Sequence, residues 1–196
     1  MEATTLSFAN LHQHGELFAN LFRARRESFI LKKGWDLPET MGMEFDQYDT
    51  PVSRWVAVHN GDGRVLAGLR LTPTRARCGI YTYMIRDAQR GLLDSIPADL
   101  LDEDAPVEEG VWEVTRGFIL QDIPAAMRLR VRLKLISQLT SAARENDVRK
   151  GLALLPSNWG RWAKRANLNL SPAGRTMNMG GIEYQAVWMD FTQALN

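Results

Sequence analysis

Ser53-Arg54-Trp55-Val56-Ala57-Val58, then Asn60-Gly61-Asp62-Gly63, then Val65-Leu66-Ala67-Gly68-Leu69-Arg70-Leu71: two runs rich in β-branched and apolar residues flank a turn of Asn and Gly. That arrangement is among the strongest short-range hairpin signals, because Asn and Gly tolerate the positive φ angles such turns need. Outward from it, residues 112–120, 151–155 and 184–191 carry the aromatic and β-branched residues of further strands. Residues 17–30 place Leu17, Phe18, Leu21, Phe22, Phe29 and Ile30 on one helical face, and Lys33-Gly34 suits the end of that helix.

Residues 125–149 read two ways. Arg128 to Leu135 alternates with period two, as a strand would, yet Leu129, Leu133, Ile136, Leu139 and Ala143 form a helical stripe. Asp122 and Pro124 stand where a helix begins, and the segment is too long for one strand, so it is predicted helical. Helices alternating with strands define an α/β protein.

The 196 residues suit one domain, expected to span 1–196. Apolar residues at 45% and charged residues at 24% exclude a disordered chain, and no run approaches the ~18 consecutive apolar residues of a membrane span. A net charge of +1 excludes nucleic-acid or membrane binding driven by bulk charge. One cysteine, Cys78, excludes an internal disulfide, and no secretory signal is read at the start, so a cytoplasmic protein is expected. The charge is segregated, however. Residues 94–113 hold eight acidic residues and no basic one, and residues 128–165 hold ten Lys and Arg against Glu145 and Asp147. The basic stretch is suited to steering an acidic macromolecule.

Three groups of residues can carry chemistry: Arg25, Phe29 and Trp35; then Glu44, Asp46 and Asp49; then Arg70 with Glu113, Thr115 and Arg116. Singly each has a plain reading, the acids as caps and turn formers, the arginines as surface partners, the aromatics as core. His12-Gln13-His14 lacks any cluster to complete a metal site, so no metal is expected. Phosphate-binding and dinucleotide glycine loops are absent, as is a glycine-rich turn for a coenzyme A pyrophosphate. No Ser-His or Cys-His arrangement points to a side-chain nucleophile.

Taken in order, Arg25, Phe29, Trp35, Glu44-x-Asp46-x-x-Asp49, Arg70-Leu71-x-Pro73-Thr74 and Glu113-x-Thr115-Arg116 resemble the acyl-homoserine-lactone synthases of bacterial quorum sensing. The resemblance covers about residues 22–116 and continues more weakly to the C-terminus. Thr115 replaces the family's Ser, and Gly117 stands where Phe is usual. The segment from Arg75 to Leu93 is longer than usual and brings Tyr81, Tyr83 and Met84 where Phe is common.

The resemblance implies an acetyltransferase-like mixed, twisted sheet flanked by helices. It implies acyl transfer from acyl carrier protein, or acyl-coenzyme A, to the amine of S-adenosylmethionine, then lactone closure and loss of methylthioadenosine. No cofactor is implied, since both are substrates. Glu113, Arg116 and Arg70 are the implied catalytic residues, with Glu113 as base, its acidity weakened by partial burial beside Trp112. Arg25, Phe29, Trp35, Glu44, Asp46 and Asp49 are implied to bind S-adenosylmethionine. The acids would either attract its cations directly or hold Arg25 and Arg70, and an arginine can grip its carboxylate. Arg128, Arg132, Lys150, Arg161, Lys164 and Arg165 would dock the acidic carrier protein. Leu154, Trp159, Trp162 and Met177 are candidates for an acyl tunnel or for core. The competing readings are an N-acyl amino acid synthase on the same fold and a non-catalytic module binding nucleic acid through Trp159-Gly160-Arg161-Trp162.

Overall fold

The computed structural model describes residues 1–192, apart from the side chains of 161, 162 and 165. In chain order the elements are β1 (Glu2–Leu6), a 3-10 turn (Phe8–Asn10), α1 (Leu11–Arg26), a π-helical turn (Glu27–Leu31), β2 (Glu39–Thr40), β3 (Met43–Glu44), β4 (Arg54–His59), β5 (Val65–Pro73), α2 (Met84–Gln89), β6 (Val111–Ile119), α3 (Ala125–Glu145), β7 (Lys150–Pro156), α4 (Trp159–Arg165), β8 (Asn169–Met179) and β9 (Ile182–Asp190). The mixed α/β architecture is the one expected. Seven strands lie in the sheet order β1-β4-β5-β6-β7-β9-β8, with β2 and β3 forming a separate small ladder. The chain divides into two compact units, Met1–Leu71 with Arg116–Ala142, and Thr72–Thr115 with Ala143–Asn196, and β6 contributes residues to each.

In the first unit the hairpin forms as its sequence indicates. The Asn60 side-chain oxygen accepts from the N–H groups of Asp62 and Arg64, and Gly63 takes the positive φ of +76°. The register shifts by one residue at Val58/His59, so the connection is a bulged hairpin. Both strands are almost wholly buried, and β1 pairs antiparallel with β4 on the far side. Gly68 lets α1 lie directly on β5. A Cβ there would stand 2.6 Å from Leu21 Cδ1 and 3.0 Å from both Phe118 and the Val56 carbonyl.

The helix predicted over 125–149 is α3, and the expected stripe holds in its second half, where Leu139 and Ala143 are buried. In its first half Val131 and Leu135 are buried instead of Leu129 and Leu133, which are exposed. The alternating apolar residues there offered two helical phases, and packing selects the one that continues into Leu139.

In the second unit β6 runs parallel to β7 from Val111↔Lys150 to Val114↔Ala153, where the ladder ends. β9 pairs antiparallel with both β7 and β8, and β8 carries an irregularity between Pro172 and Thr176. Tyr83, Ile85, Ala88, Leu100, Leu152, Met177 and Ala186 form the core here. No helix among the described residues is long and apolar enough to cross a membrane.

Candidate active site

The last two turns of α1 bury Leu21, Phe22, Ala24 and Arg25. A guanidinium in such a place must be paired, since an isolated buried charge is prohibitively costly. Its partners come from the segment that follows. Glu44 ends β3, and Asp46 and Asp49 fold a tight turn in which Asp49 accepts from the Asp46 N–H at 2.8 Å and Asp46 accepts from the Tyr48 N–H at 2.9 Å. Arg25 donates from Nε to Glu44 at 2.6 Å and from both terminal nitrogens to Asp49, at 2.7 and 2.9 Å.

Arg70 on β5 donates to Asp46 and, at 3.0 Å, to Asp49. Arg116 on β6 reaches Glu44 at 3.2 Å and Asp46 at 2.6 Å. The six side chains thus close a ring of alternating charge: Arg25, Glu44, Arg116, Asp46, Arg70, Asp49 and back to Arg25. Arg116 adopts φ +52° to join it, a conformation that costs a non-glycine residue on the order of 1 kcal/mol and persists where surrounding contacts fix it.

Of the two roles open to the acids in the sequence, the geometry displays the second: they hold the arginines. The pairs are not surface pairs either, because Arg25, Glu44 and Arg70 are almost completely buried. Burial on its own would raise the carboxyls of Asp46 and Asp49, yet the guanidinium groups of Arg70, Arg116 and Arg25 outweigh it and hold both below the ordinary range. Burial would likewise lower Arg25, and the charges of Asp49 and Glu44 hold it above its usual value instead.

Phe29 and Trp35 stack beside the ring, centroids 5.2 Å apart and planes within 13°. Local backbone makes that stack. The π turn ends with the Lys32 N–H on the Glu27 carbonyl, Gly34 takes φ +68°, and the Trp35 N–H returns to the Phe29 carbonyl at 3.0 Å. Phe29 is buried, with the Arg116 guanidinium 5.7 Å from its centroid, whereas Trp35 stays 37% exposed, so one face of the pair is core and the other open.

Glu113 lies in the second unit, fully buried. Its carboxylate accepts from the N–H groups of Met84 at 3.2 Å and Ile85 at 2.7 Å, the first residues of α2. Neighbouring strand residues face opposite sides of a sheet, so Trp112 is not what encloses it; the start of α2 is.

Among the expected docking residues, Arg128 is exposed but its guanidinium is occupied by the carbonyls of Ile123 and Gln121. Arg132 lies on the same helix, while Lys150 on β7 and Lys164 on α4 are exposed. The side chains of Arg161, Trp162 and Arg165 lie outside those described. Met177 belongs to the core and Leu154 packs against it. Trp159 donates to Gln185 at 3.1 Å and lines an open pocket of about 360 Å³ with Lys164, Asn167 and Leu170. Three participants at the ring escaped the sequence reading: Trp55, whose indole N–H donates to Asp49 at 3.0 Å, Tyr48 under the Arg70 guanidinium, and Lys33 on the Phe29–Trp35 stack. Lys33-Gly34 had registered only as a helix end.

The autoinducer synthase family model matches residues 9–195. The chain belongs to that family. The acyl-homoserine-lactone synthase of Ralstonia nicotianae is 28% identical over 177 residues, 88% of this chain and 81% of that protein. The acyl-homoserine-lactone synthase of Aeromonas salmonicida is 32% identical over 106 residues, 54% of this chain and less than half, 44%, of that protein. Among solved structures, the CoA-dependent acyl-homoserine lactone synthase BjaI, with SAM and isopentyl-CoA, superposes with a TM-score of 0.78 at 21% identity, covering 99% of this chain and 85% of that one. The acetyltransferase-like fold expected from the motifs is therefore the family's own.

Proposed function

We propose that this autoinducer synthase makes an acyl-homoserine lactone, transferring an acyl chain from a thioester to the amine of S-adenosylmethionine and then closing the lactone with release of methylthioadenosine. The observation that carries the reading is the closed ring of three arginines and three carboxylates beside the half-open Phe29–Trp35 stack, composed of the motif residues themselves.

Each ring member acts mainly on its neighbours. With three guanidinium groups against three carboxylates the ring is electrically neutral, its Arg116 meets Phe29 of the aromatic pair, and we assign it neither protonation nor deprotonation of the substrate. The stacked rings offer an adenine or a sulfonium a flat, electron-rich surface. The amine must lose a proton before attacking the thioester, and Glu113 is the group we assign as base, directly or through one water. The two α2 amides fix its carboxylate in one orientation.

The donor is a carrier-protein or coenzyme A thioester. We favour the carrier protein because it is acidic and the second unit exposes Lys150 and Lys164, while the first carries Arg132 on α3. These substrates place the enzyme in the cytoplasm.

The test is mass spectrometry of extracts from bacteria expressing the chain, beside a strain with Glu113→Ala. Acylated homoserine lactones from the first and none from the second establish the reaction and give the chain length. Open N-acyl amino acids in their place would make the chain an N-acyl amino acid synthase.

A further inference from the structure

The ring's arginines are engaged with the ring's own carboxylates. Arg25 uses Nε and both terminal nitrogens on Glu44 and Asp49, and Arg70 and Arg116 are bound to the same carboxylates. Three guanidinium groups against three carboxylates sum to zero, so the ring has no net pull on an anion.

Lys33 differs. Its Nζ lies 4.6 Å from the Trp35 centroid and 5.0 Å from that of Phe29, and none of the ion pairs among the described residues includes it. The residue is exposed. Partial burial of the ammonium end, with the Arg116 guanidinium nearby, pushes it below the ordinary lysine value, as fits a cation with no anion beside it. The aromatic stack therefore carries a positive charge of its own, beside a ring that is neutral in sum.

We propose that Lys33 is the receptor for the methionine carboxylate of S-adenosylmethionine, with the adjoining stack taking the rest of the molecule. The proposal rests on the synthase reading above. A lysine suits the chemistry better than a bidentate arginine would, because this carboxylate must later act as a nucleophile, and a single-point contact leaves its second oxygen available. In ring closure that oxygen bonds to the γ-carbon of the methionine chain. The carbon–sulfur bond breaks with its electron pair on sulfur, and the sulfonium becomes the neutral thioether of methylthioadenosine. The carboxylate is consumed as the ring ester in the same step, so the attraction to Lys33 vanishes as the products form, which favours their release.

Calorimetric titration of the whole protein with S-adenosylmethionine, decarboxylated S-adenosylmethionine and methylthioadenosine decides the matter, using wild type, Lys33→Met and Lys33→Arg. Methionine keeps the apolar stem on the rings and removes the charge. The expected result is about tenfold weaker S-adenosylmethionine binding by Lys33→Met, the scale of one lost charge-assisted contact. The two ligands without a carboxylate should stay unchanged, and Lys33→Arg should bind all three much as wild type does. Equal weakening of all three ligands would reduce Lys33 to a packing residue and overturn the proposal. Tighter binding of both sulfonium compounds by Lys33→Met would overturn it too, making Lys33 a competitor for the cation seat, and so would no change at all. A wild type that bound none of the three would instead remove the synthase reading itself.

Discussion

Trp55 and Arg70 stand directly opposite each other on β4 and β5, and both donate to the same Asp49 oxygen, each at 3.0 Å. Arg25 donates to that oxygen as well, at 2.7 Å. One carboxylate oxygen from a turn thus ties a helix and two strands together, which makes Asp49 the hub of the site.

Removing that hub should be costly. Asp49→Ala leaves two buried guanidinium groups short of charge, a change on the order of 3–5 kcal/mol. Chemical denaturation should show a loss of that size. A loss under about 1 kcal/mol, the scale of a surface pair, would mean that the ring is not closed in solution.

Acid should open the same ring. Asp46 and Asp49 are held below the ordinary carboxylate value of about 4. Between the folded and unfolded values the unfolded chain binds more protons, so stability falls as pH falls. The stabilisation is complete above about pH 4 and is lost progressively below it. Melting temperature measured from pH 7 downward should therefore take no loss from these two groups until about pH 4. Asp49→Asn should melt lower at neutral pH and decline less steeply in acid.

Trp35 and Phe29 should separate binding from stability. Trp35→Ala removes the exposed partner and should weaken S-adenosylmethionine binding severalfold while barely moving the melting temperature. Phe29→Ala should lower both, by about 3–5 kcal/mol for stability, because Phe29 is core as well as stack. Titration and thermal melting on the same preparations check the split.

Glu113→Gln should bind S-adenosylmethionine with little change but slow acyl transfer by at least about 100-fold, the usual worth of a positioned base. It should also melt lower, because the amide offers one acceptor oxygen where two backbone N–H groups now each meet one. An unaltered rate would leave Glu113 as an anchor for α2 and send the search for the base elsewhere.

For the donor, Arg132→Glu together with Lys150→Glu should raise KM for acyl carrier protein and spare acyl-coenzyme A. Arg128 is a poorer probe, since its guanidinium also holds the entry to α3. Equal effects on both donors would count against docking through these residues.

The sequence reveals the site's members more readily than their partnership. Arg25, Glu44, Asp49 and Arg70 could be picked out as charged residues near element ends, but the choice between gripping a substrate and gripping one another depends on contacts across 19 to 24 residues. Trp55 was legible as a strand residue and not as a donor, because indole chemistry leaves no mark on a β pattern. Lys33 read only as part of a helix terminus. Besides the two-residue strands β2 and β3, the strands not legible in the sequence are β1 and β8, the two edges of the seven-stranded sheet. One is short and rich in Thr, and the other holds Pro172 and Gly174. Edges tolerate polar residues, prolines and irregularities that central strands do not, so the alternation that reveals a strand is weakest there.

The π-helical turn at Glu27–Leu31 gives the chain one residue of slack between Arg25 and Trp35. It winds five residues between successive hydrogen-bonded partners where an ordinary helix winds four. A chain shortened by one residue anywhere from 27 to 31 could relax into an unbroken α-helix with all its bonds intact, and would fold. The turn absorbs its extra residue, since five residues wound wide cover nearly the angle that four cover in an α-helix. Lys33 and Trp35 would therefore keep close to their present quarter, and the ring would stay whole. The stretch from Arg25 to Trp35 is thus a place where the chain can lose one residue and still present the same aromatic face, so a single deletion within 27–31 should spare S-adenosylmethionine binding.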